Sequence, residues 1–424
     1  MHTTIQFGCI ADDFTGGSDA ASFLVAGGLN TVLCSGIPPA DFVLPADCEA
    51  VVIALKSRTQ ETRSAVVDSL AAIRWLAAQG AEQFYIKYCS TFDSTPQGNI
   101  GPIVDAVLEE VGAPGTILCP ALPANDRIVQ DGILYVKGIP LAESPMKDHP
   151  LTPMWTSRIV QLMAPQGKYP ALEIHRALLH GDRAALEQML KVFAQNKQHY
   201  YLVPDYVDDA DADLLAELFG GMKVLTGGSG ILTALARRIK KNRVSFLPQS
   251  STEGKALILA GSCSTATNAQ TAWYRAQGGC CLRLEDAALL SGQQTSATLW
   301  EQVQHCGQDV LVYSYETPEG LKAKRNTEGR HLSSLIEQTL SGVAELAVEH
   351  GYTRIIVAGG ETSGAVTKQL GFTAFQIGDS IAPGVPILIP LENPVIRLVL
   401  KSGNFGQEDF FGRALHMTEQ SPHQ

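Results

Sequence analysis

The sequence predicts an α/β protein of two domains with mostly parallel sheets and an active-site cleft between them. Three observations carry this. Short apolar runs alternate with helical patterns along the whole chain, as βαβ units require. At 424 residues the chain is too long for one ordinary core. A stretch rich in Ser with one Pro and one Gly, residues 243–254 (RVSFLPQSSTEG), interrupts the alternation, which then restarts.

The first domain is expected over residues 1–242. Runs at Ile5–Ile10, Thr31–Leu33, Val51–Leu55, Phe84–Tyr88 and Thr116–Cys119 read as buried parallel strands. Helical patterns at Ser18–Ala26, Thr62–Gln79 and Pro102–Val111 lie between them. Leu172–Asn196 reads as one or two amphipathic helices, Tyr200–Pro204 and Lys223–Leu225 as strands, and Leu232–Lys241 as a helix. The second domain is expected over residues 255–418, after the linker at 243–254. It reads as strand Leu257–Ala260, helix Thr265–Gln277, strand Val310–Tyr313, helix Leu335–His350 and strand Arg354–Ala358. Val385–Leu391 and Val395–Lys401 close it as a hairpin.

Composition narrows the function. Hydrophobic residues make up 45% and charged residues 18%, as in a globular protein. A net charge of −11 disfavours a nucleic-acid partner but leaves room for a small anion in a locally basic pocket. No apolar run approaches the ~18 residues of a membrane span, and no signal peptide is evident. Nine scattered cysteines without a C-x-x-C pair fit a reduced, cytoplasmic setting better than a disulfide framework or a zinc site. A homo-oligomer is left open.

Four constellations follow predicted strands, where open α/β sheets bind ligands. The first is Asp12-Asp13 with Thr15, Gly16 and Gly17. Carboxylates there suit Mg²⁺ or a polyhydroxy substrate, and two glycines before a helix suit an anion. The bland alternative is a solvated turn with Ser18 capping the helix. The second is Lys87-Tyr88-Cys89-Ser90-Thr91-Phe92-Asp93-Ser94. Lys87 could clamp a carboxylate and Asp93 could act as general base. Ser90 or Ser94 as a mere cap for the helix near Pro102 is the plainer reading. Arg58, after strand Val51–Leu55, offers a second cation. The third is Gly261-Ser262-Cys263-Ser264, whose small residues allow backbone N–H groups to approach a phosphate. Cys263 is read as a packing residue. The fourth is Gly359-Gly360-Glu361-Thr362-Ser363-Gly364. It has the glycine spacing of a P-loop, but Ala365 stands where its lysine must be, so it is not a Walker A motif. Lys401-Ser402-Gly403 adds a further cation and a glycine at a strand end.

Other features weigh less. Thr226-Gly227-Gly228-Ser229-Gly230 lacks the third glycine of G-x-G-x-x-G and reads as a helix-packing turn. The run of acids from Asp205 to Asp213 reads as a solvated helix start. His149, in Asp-His-Pro, suits a turn. Carboxylates, hydroxyls and cations in one half and Gly-rich turns in the other are what phosphoryl transfer between two ligands needs.

With these motifs in view, the chain resembles the four-carbon acid sugar kinases over nearly its whole length. The carriers are IADDFTGGSDAA, KYCSTFDSTPQGNIG, CPALPANDR, ESPMKDHPLTPM, GSCSTATNAQ, AGGETSGAV and LKSGNFG. The resemblance implies an N-terminal substrate domain, a C-terminal nucleotide domain, and ATP with Mg²⁺ as cofactors. It implies transfer to the terminal hydroxyl of a four-carbon sugar acid. ADDFTGGSDAA with HPLTPM points to the 3-oxo-tetronate branch; the D-threonate or D-erythronate activity is the nearest rival. A dinucleotide-dependent oxidoreductase and a nucleotide-free sugar-acid binder are more distant ones. On this resemblance the nucleotide falls on Ser262, Ser264, Gly359, Gly360, Glu361, Thr362, Ser363 and Gly403. The substrate falls on Asp12, Thr15, Gly16, Arg58, Lys87, Ser90 and Ser94. Asp13 or Asp93 would take the hydroxyl proton. No metal ligand is singled out.

Overall fold

The computed structural model describes residues 5–148, 152–240, 248–315 and 327–420. The chain folds as two compact units, Met1–Phe246 and Leu247–Gln424. His149 and residues 243–247 of the expected linker lie outside the described residues.

In the first unit, β1 (Phe7–Ala11), β2 (Thr31–Ser35), β3 (Ala50–Ala54), β4 (Gln83–Lys87) and β5 (Gly115–Cys119) are the five strands read from the sequence. A small antiparallel sheet follows, β6 (Arg127–Gln130), β7 (Ile133–Val136) and β8 (Ile139–Pro140), which has no clear periodic signature. Then come β9 (Ala171–Ile174), β10 (Tyr200–Pro204) and β11 (Val224–Gly227). The main sheet runs β2-β3-β1-β4-β11-β5-β10-β9, and every pairing in it is parallel. Its strands are short runs of Val, Ile, Leu, Cys and aromatics with both faces covered, as buried parallel strands must be. Val51, Val52 and Ile53 are fully buried, and each such side chain stabilises the fold by about 1.5–3 kcal/mol.

Two expectations change here. The Leu172–Asn196 stretch is not all helix: it opens with β9 and continues as helices Arg176–Leu179 and Arg183–Ala194. Ala171–Ile174 finds β10 as a pairing partner, and tertiary pairing overrides a helical pattern of this length. The first helix begins at Phe14, not Ser18, because the Asp13 carboxylate caps it, accepting from Gly16 N at 2.5 Å. Gly16 and Gly17 therefore lie inside its first turn. Gly17 permits close packing there, since a Cβ would stand 2.9 Å from the Ala54 Cβ.

The second unit comprises β12 (Lys255–Ala260), β13 (Cys280–Arg283), β14 (Val310–Tyr313), β15 (Tyr352–Ala358), β16 (Ala374–Ala382), β17 (Val385–Pro390) and β18 (Arg397–Lys401). Strand order is β13-β14-β12-β15-β18-β17-β16. β13, β14, β12, β15 and β18 are mutually parallel, and β17 is antiparallel to β18 and β16. The expected hairpin of β17 and β18 is present; β16 extends it. Ile258, Leu311, Ile356, Val399, Phe410 and Phe411 form its core, each at most 1% exposed. Cys280 and Cys306 are joined in a disulfide, which the reading of an all-thiol chain did not foresee. The two lie on neighbouring elements, β13 and helix Ser296–His305, a proximity that spacing does not reveal.

Both main sheets reverse direction of winding at one place. In the first unit the chain goes from β1 outward to β2 and β3 on one side, then places β4 on the other. In the second it goes from β12 to β13 and β14, then places β15 on the opposite side. A crevice opens outside the carboxyl ends of the strands at such a point.

Candidate active site at two topological switch points

Register fixes what meets at the β1/β4 switch. Ala11 is level with Lys87, and Gly227 of β11 is level with Lys87 on the other side. Asp12 N donates to the Lys87 carbonyl at 3.1 Å, and Arg58 N to the Asp12 carbonyl at 3.3 Å. The side chains then form a charge cluster. Arg58 grips Asp12 bidentately, Nε to Oδ2 at 2.8 Å and Nη2 to Oδ1 at 2.9 Å, and its Nη1 reaches Asp13 Oδ2 at 2.7 Å. Fork-to-fork geometry of this kind is the strong form of an ion pair. Burial pushes the Asp12 carboxyl above the usual carboxylate range, against the pull of Arg58. Burial also pushes the Cys89 thiol up to about 12, so it is no thiolate nucleophile.

A pocket lies beside this cluster. Its apolar wall is Ile10, Ile86, Ile100 and Ile103, and its polar groups include Asp12, Arg58, Lys87, Asp93, Ser94 and Asn99. A few convergent polar groups on an apolar wall suit a small polar ligand. Lys87 is 4% exposed and donates to the Tyr88 carbonyl at 3.1 Å. Asp93 Oδ1 accepts from Thr91 Oγ1 at 2.6 Å, leaving Oδ2 for other donors. Ser94 Oγ bonds Gln166 Oε1 at 3.1 Å. Neither Ser90 nor Ser94 caps the following helix, which starts at Ile100 with Asn99 at its cap position. Thr15 sits in the first turn of helix Phe14–Ala26, and Ser90 is half-buried after β4.

The geometry alters two assignments. Arg58 spends three of its five N–H donors on Asp12 and Asp13, so Lys87 is the better placed cation for a substrate carboxylate. The glycines at Gly16-Gly17 do not present free amides to an anion, because Gly16 N donates to the Asp13 side chain and Gly17 N to the Asp13 carbonyl.

Three residues escaped sequence reading. Asp19, one turn further along the first helix, lies with Oδ2 3.9 Å from Lys87 Nζ and accepts a hydrogen bond from Ser229 Oγ. Ser229 belongs to the turn taken for mere helix packing. Burial raises the Asp19 carboxyl, and its Oδ1 has no hydrogen-bond partner. Ser69, on helix Thr62–Ala78, lines the pocket with a buried, unpartnered hydroxyl. No strand-end motif marks Asp19 or Ser69, and the strand-end turn that carries Ser229 was noted but discounted. The acidic run at Asp205–Asp213 is also not simply solvated: Asp205 and Asp211 are fully buried, and Asp211 binds Arg176 and His180.

At the β12/β15 switch the chemistry is different. Ala260, Ala358 and Lys401 end three adjacent strands in register. Gly261 N and Ser262 N both donate to the Ala358 carbonyl at 3.1 Å, and Gly359 N donates to the Lys401 carbonyl at 2.9 Å. Three turns thereby converge. Ser264 caps helix Thr265–Ala276, accepting from Thr267 N at 3.2 Å, and its hydroxyl donates to the Gly403 carbonyl at 2.6 Å. Gly359 has φ +128°, and a Cβ there would stand 3.1 Å from Ser262 N. A Cβ at Gly403 would overlap Ser262 Oγ. Helix Gly360–Gln369 begins with Gly360 and Glu361, and places Thr362 and Ser363 in its buried first turn. Ser363 Oγ is buried without a hydrogen-bond partner. Small residues, a helix N-terminus and an open hydroxyl suit a phosphate.

Metal-ligating residues are sparse at both places. Among the described residues, the three-residue set able to hold an ion is Asp131, His175 and Asp205, which lies outside both sites. At the β1/β4 switch, Asp12 and Asp13 are already occupied by Arg58. Glu361, in the first turn of helix Gly360–Gln369, is exposed and makes no ion pair among the described residues.

The two halves match separate family models, a sugar-binding N-terminal domain over residues 7–235 and a nucleotide-binding C-terminal domain over residues 257–411. A sugar-binding module joined to a nucleotide-binding one defines a sugar kinase type of chain. Curated relatives include the 3-oxo-tetronate kinases of Brucella melitensis, 41% identical over 98% of this chain and 96% of its own, and Actinobacillus succinogenes, 42% identical over 97% and 100%. Among solved structures, a Haemophilus influenzae protein superposes with a TM-score of 0.83 at 41% identity, covering 97% of this chain and 99% of its own. The chain belongs to the four-carbon acid sugar kinase family, in its 3-oxo-tetronate kinase branch.

Proposed function

We propose that the protein transfers the terminal phosphoryl group of ATP to the 4-hydroxyl of a 3-oxo-tetronate, giving the 4-phosphate and ADP. The observation that carries this is the presence, in one chain of this family, of two switch-point sites of opposite chemistry. One is charged and pocketed, the other is built of glycines and hydroxyls. The sugar acid and the nucleotide are the two partners. Lys87 holds the substrate carboxylate. Asp13 or Asp93 orients the 4-hydroxyl and accepts its proton; Asp93 lines the pocket, while Asp13 adjoins it through Arg58. Asp12 keeps Arg58 in place, and Arg58 offsets one of the two carboxylate charges, which leaves Lys87 as the cation for the substrate. Of the hydroxyl and glycine positions expected on the substrate side, Ser94 lines the pocket, whereas Thr15, Gly16 and Ser90 stand outside its lining. The turns carrying Ser262, Ser264, Gly359, Gly360, Thr362, Ser363 and Gly403 hold the phosphates.

Mg²⁺, bound by the nucleotide phosphates with Glu361 nearby, would neutralise charge on the transferring group. The remaining catalysis is positioning and charge balance by the chain itself. No helix of the described residues is long and apolar enough to cross a membrane. We place the enzyme in the cytoplasm, where ATP is available and where the cysteines outside the disulfide remain thiols.

The test is an ADP-release assay with 3-oxo-tetronates, D-threonate and D-erythronate supplied separately. Release with the 3-oxo acids above the others is the expected result. Preference for D-threonate moves the assignment to the sister activity, and no release with any acid overturns the kinase reading.

A further inference from the structure

Lys401 ends β18 where the three turns of the second unit converge. Its side chain is 1% exposed. The ammonium donates to Thr267 Oγ1 at 3.1 Å, the Ser402 carbonyl at 3.2 Å and the Gly403 carbonyl at 3.0 Å. It lies 5.7 Å from the centroid of the Phe410 ring. Every one of these partners is neutral. The charged or titratable groups on the elements around it are Arg275 on helix Thr265–Ala276, Arg354 on β15, Glu361 and Lys368 on helix Gly360–Gln369, Arg397 on β18 itself, Glu408 and Asp409 before Phe410, and Arg413 and His416 after it; β17 carries none. Among the described residues none of them forms an ion pair with Lys401, and Arg354 is taken by Asp309 and Glu419.

A buried cation bonded only to neutral oxygens carries a desolvation cost that a carboxylate would normally offset. Here burial pushes the ammonium down to about 8. The uncompensated charge stands behind Gly403 and Thr267, the residues that tie the third turn to the first. Its three N–H donors are spent on the protein, so it is not a direct ligand of a phosphate in this arrangement.

Resting on the reading of these turns as the phosphate site, we propose that Lys401 is the buried countercharge of the nucleotide, balanced when the polyphosphate binds. It is a positioning residue: it holds the Gly403 turn and supplies positive potential behind it. The consequence is linkage. A polyanion favours the charged ammonium, so nucleotide binding draws a proton onto Lys401 wherever the free protein is partly deprotonated. No covalent bond changes in this step.

The experiment is calorimetric titration of the full chain with ADP in buffers of different ionisation enthalpy. Near the pH where Lys401 is half charged, uptake of about half a proton per ADP is expected, fading toward zero about two pH units lower. ADP affinity should weaken several-fold as pH rises through the same range. Lys401→Arg, whose guanidinium does not titrate there, should bind ADP without the uptake. Wild-type binding with no buffer-dependent heat overturns the inference while leaving the nucleotide reading in place; so does uptake that persists in the arginine variant. Failure of ADP to bind wild type at any pH overturns the nucleotide reading itself, and the inference with it. The wild-type arm decides the matter even if the variant does not fold.

Discussion

The two switch-point sites handle charge in opposite ways. At β1/β4 the formal charges lie side by side and are paired: Arg58 with Asp12 and Asp13, Lys87 near Asp19. At β12/β15 the turns offer hydroxyls, backbone and glycine, backed by one buried lysine without a carboxylate partner among the described residues. The difference teaches what each site is ready to receive. On the proposed function the first cluster must admit a small acid through Lys87, whose ammonium keeps N–H donors beyond the one given to the Tyr88 carbonyl. A site with uncompensated positive charge gains from a polyanion. Two sites built on the same sheet geometry thus differ in charge through their side chains.

Breaking the balance of the first site should have the largest effect. Arg58→Met leaves Asp12 buried and Asp13 beside it without their cation. A loss of about 3 kcal/mol in unfolding free energy is expected, together with near-complete loss of turnover, read by denaturant titration and the ADP assay. Asp13→Asn keeps a helix cap but removes a charge. If Asp13 takes the hydroxyl proton, turnover should fall by about 10²- to 10⁴-fold with ADP affinity unchanged. Near-normal turnover transfers that role to Asp93, and Asp93→Asn then carries the loss.

The second site should break independently. Gly359→Val forces a branched side chain into φ +128° against Ser262 N. Strain of about 1–3 kcal/mol should weaken ADP binding by roughly 5- to 150-fold, while sugar-acid binding measured without nucleotide stays as it was. A milder change sharpens the first site: Ser229→Ala releases Asp19 from its hydroxyl partner, and KM for the sugar acid should rise about threefold with KM for ATP unmoved.

A last test concerns stability in the absence of ligand. Lys401 has a folded value of about 8, below its ordinary 10.5. Between those values the unfolded chain holds a proton that the folded chain has lost. Stability of the nucleotide-free protein should therefore climb with pH across that window, and the burial cost is present in full below it. Lys401→Met should flatten the climb, measured as Tm against pH.

Much of this was legible in the chain itself. Strand ends at Ala11, Lys87, Ala260, Ala358 and Lys401 were marked by apolar runs giving way to Asp, Ser and Gly, because a parallel strand is buried on both faces and its carboxyl end is where polar residues can meet a ligand. The motifs at those ends also identified the family. The misses share one cause. Asp19 and Ser69 carry no local signal, and the Gly-rich turn of Ser229 was discounted as packing: their importance comes from a neighbour distant in the chain, as when β11 pairs with β4 and brings Gly227 level with Lys87. Likewise, β9 lay hidden in a helical pattern until β10 offered it a ladder of hydrogen bonds.

The sequence by itself determined the alternation of strand and helix, the break between the halves, and which residue types stand at each strand end. These depend on local periodicity and turn chemistry, which act over a few residues. Only the tertiary structure decided which strands are neighbours. That choice made Arg58 the keeper of Asp12 and Asp13, turned a packing loop toward Asp19, and left Lys401 buried with neutral partners. Pairing energies between charges fall off within a few ångströms in a screened medium, so the role of each ionisable residue was settled by strand order and register.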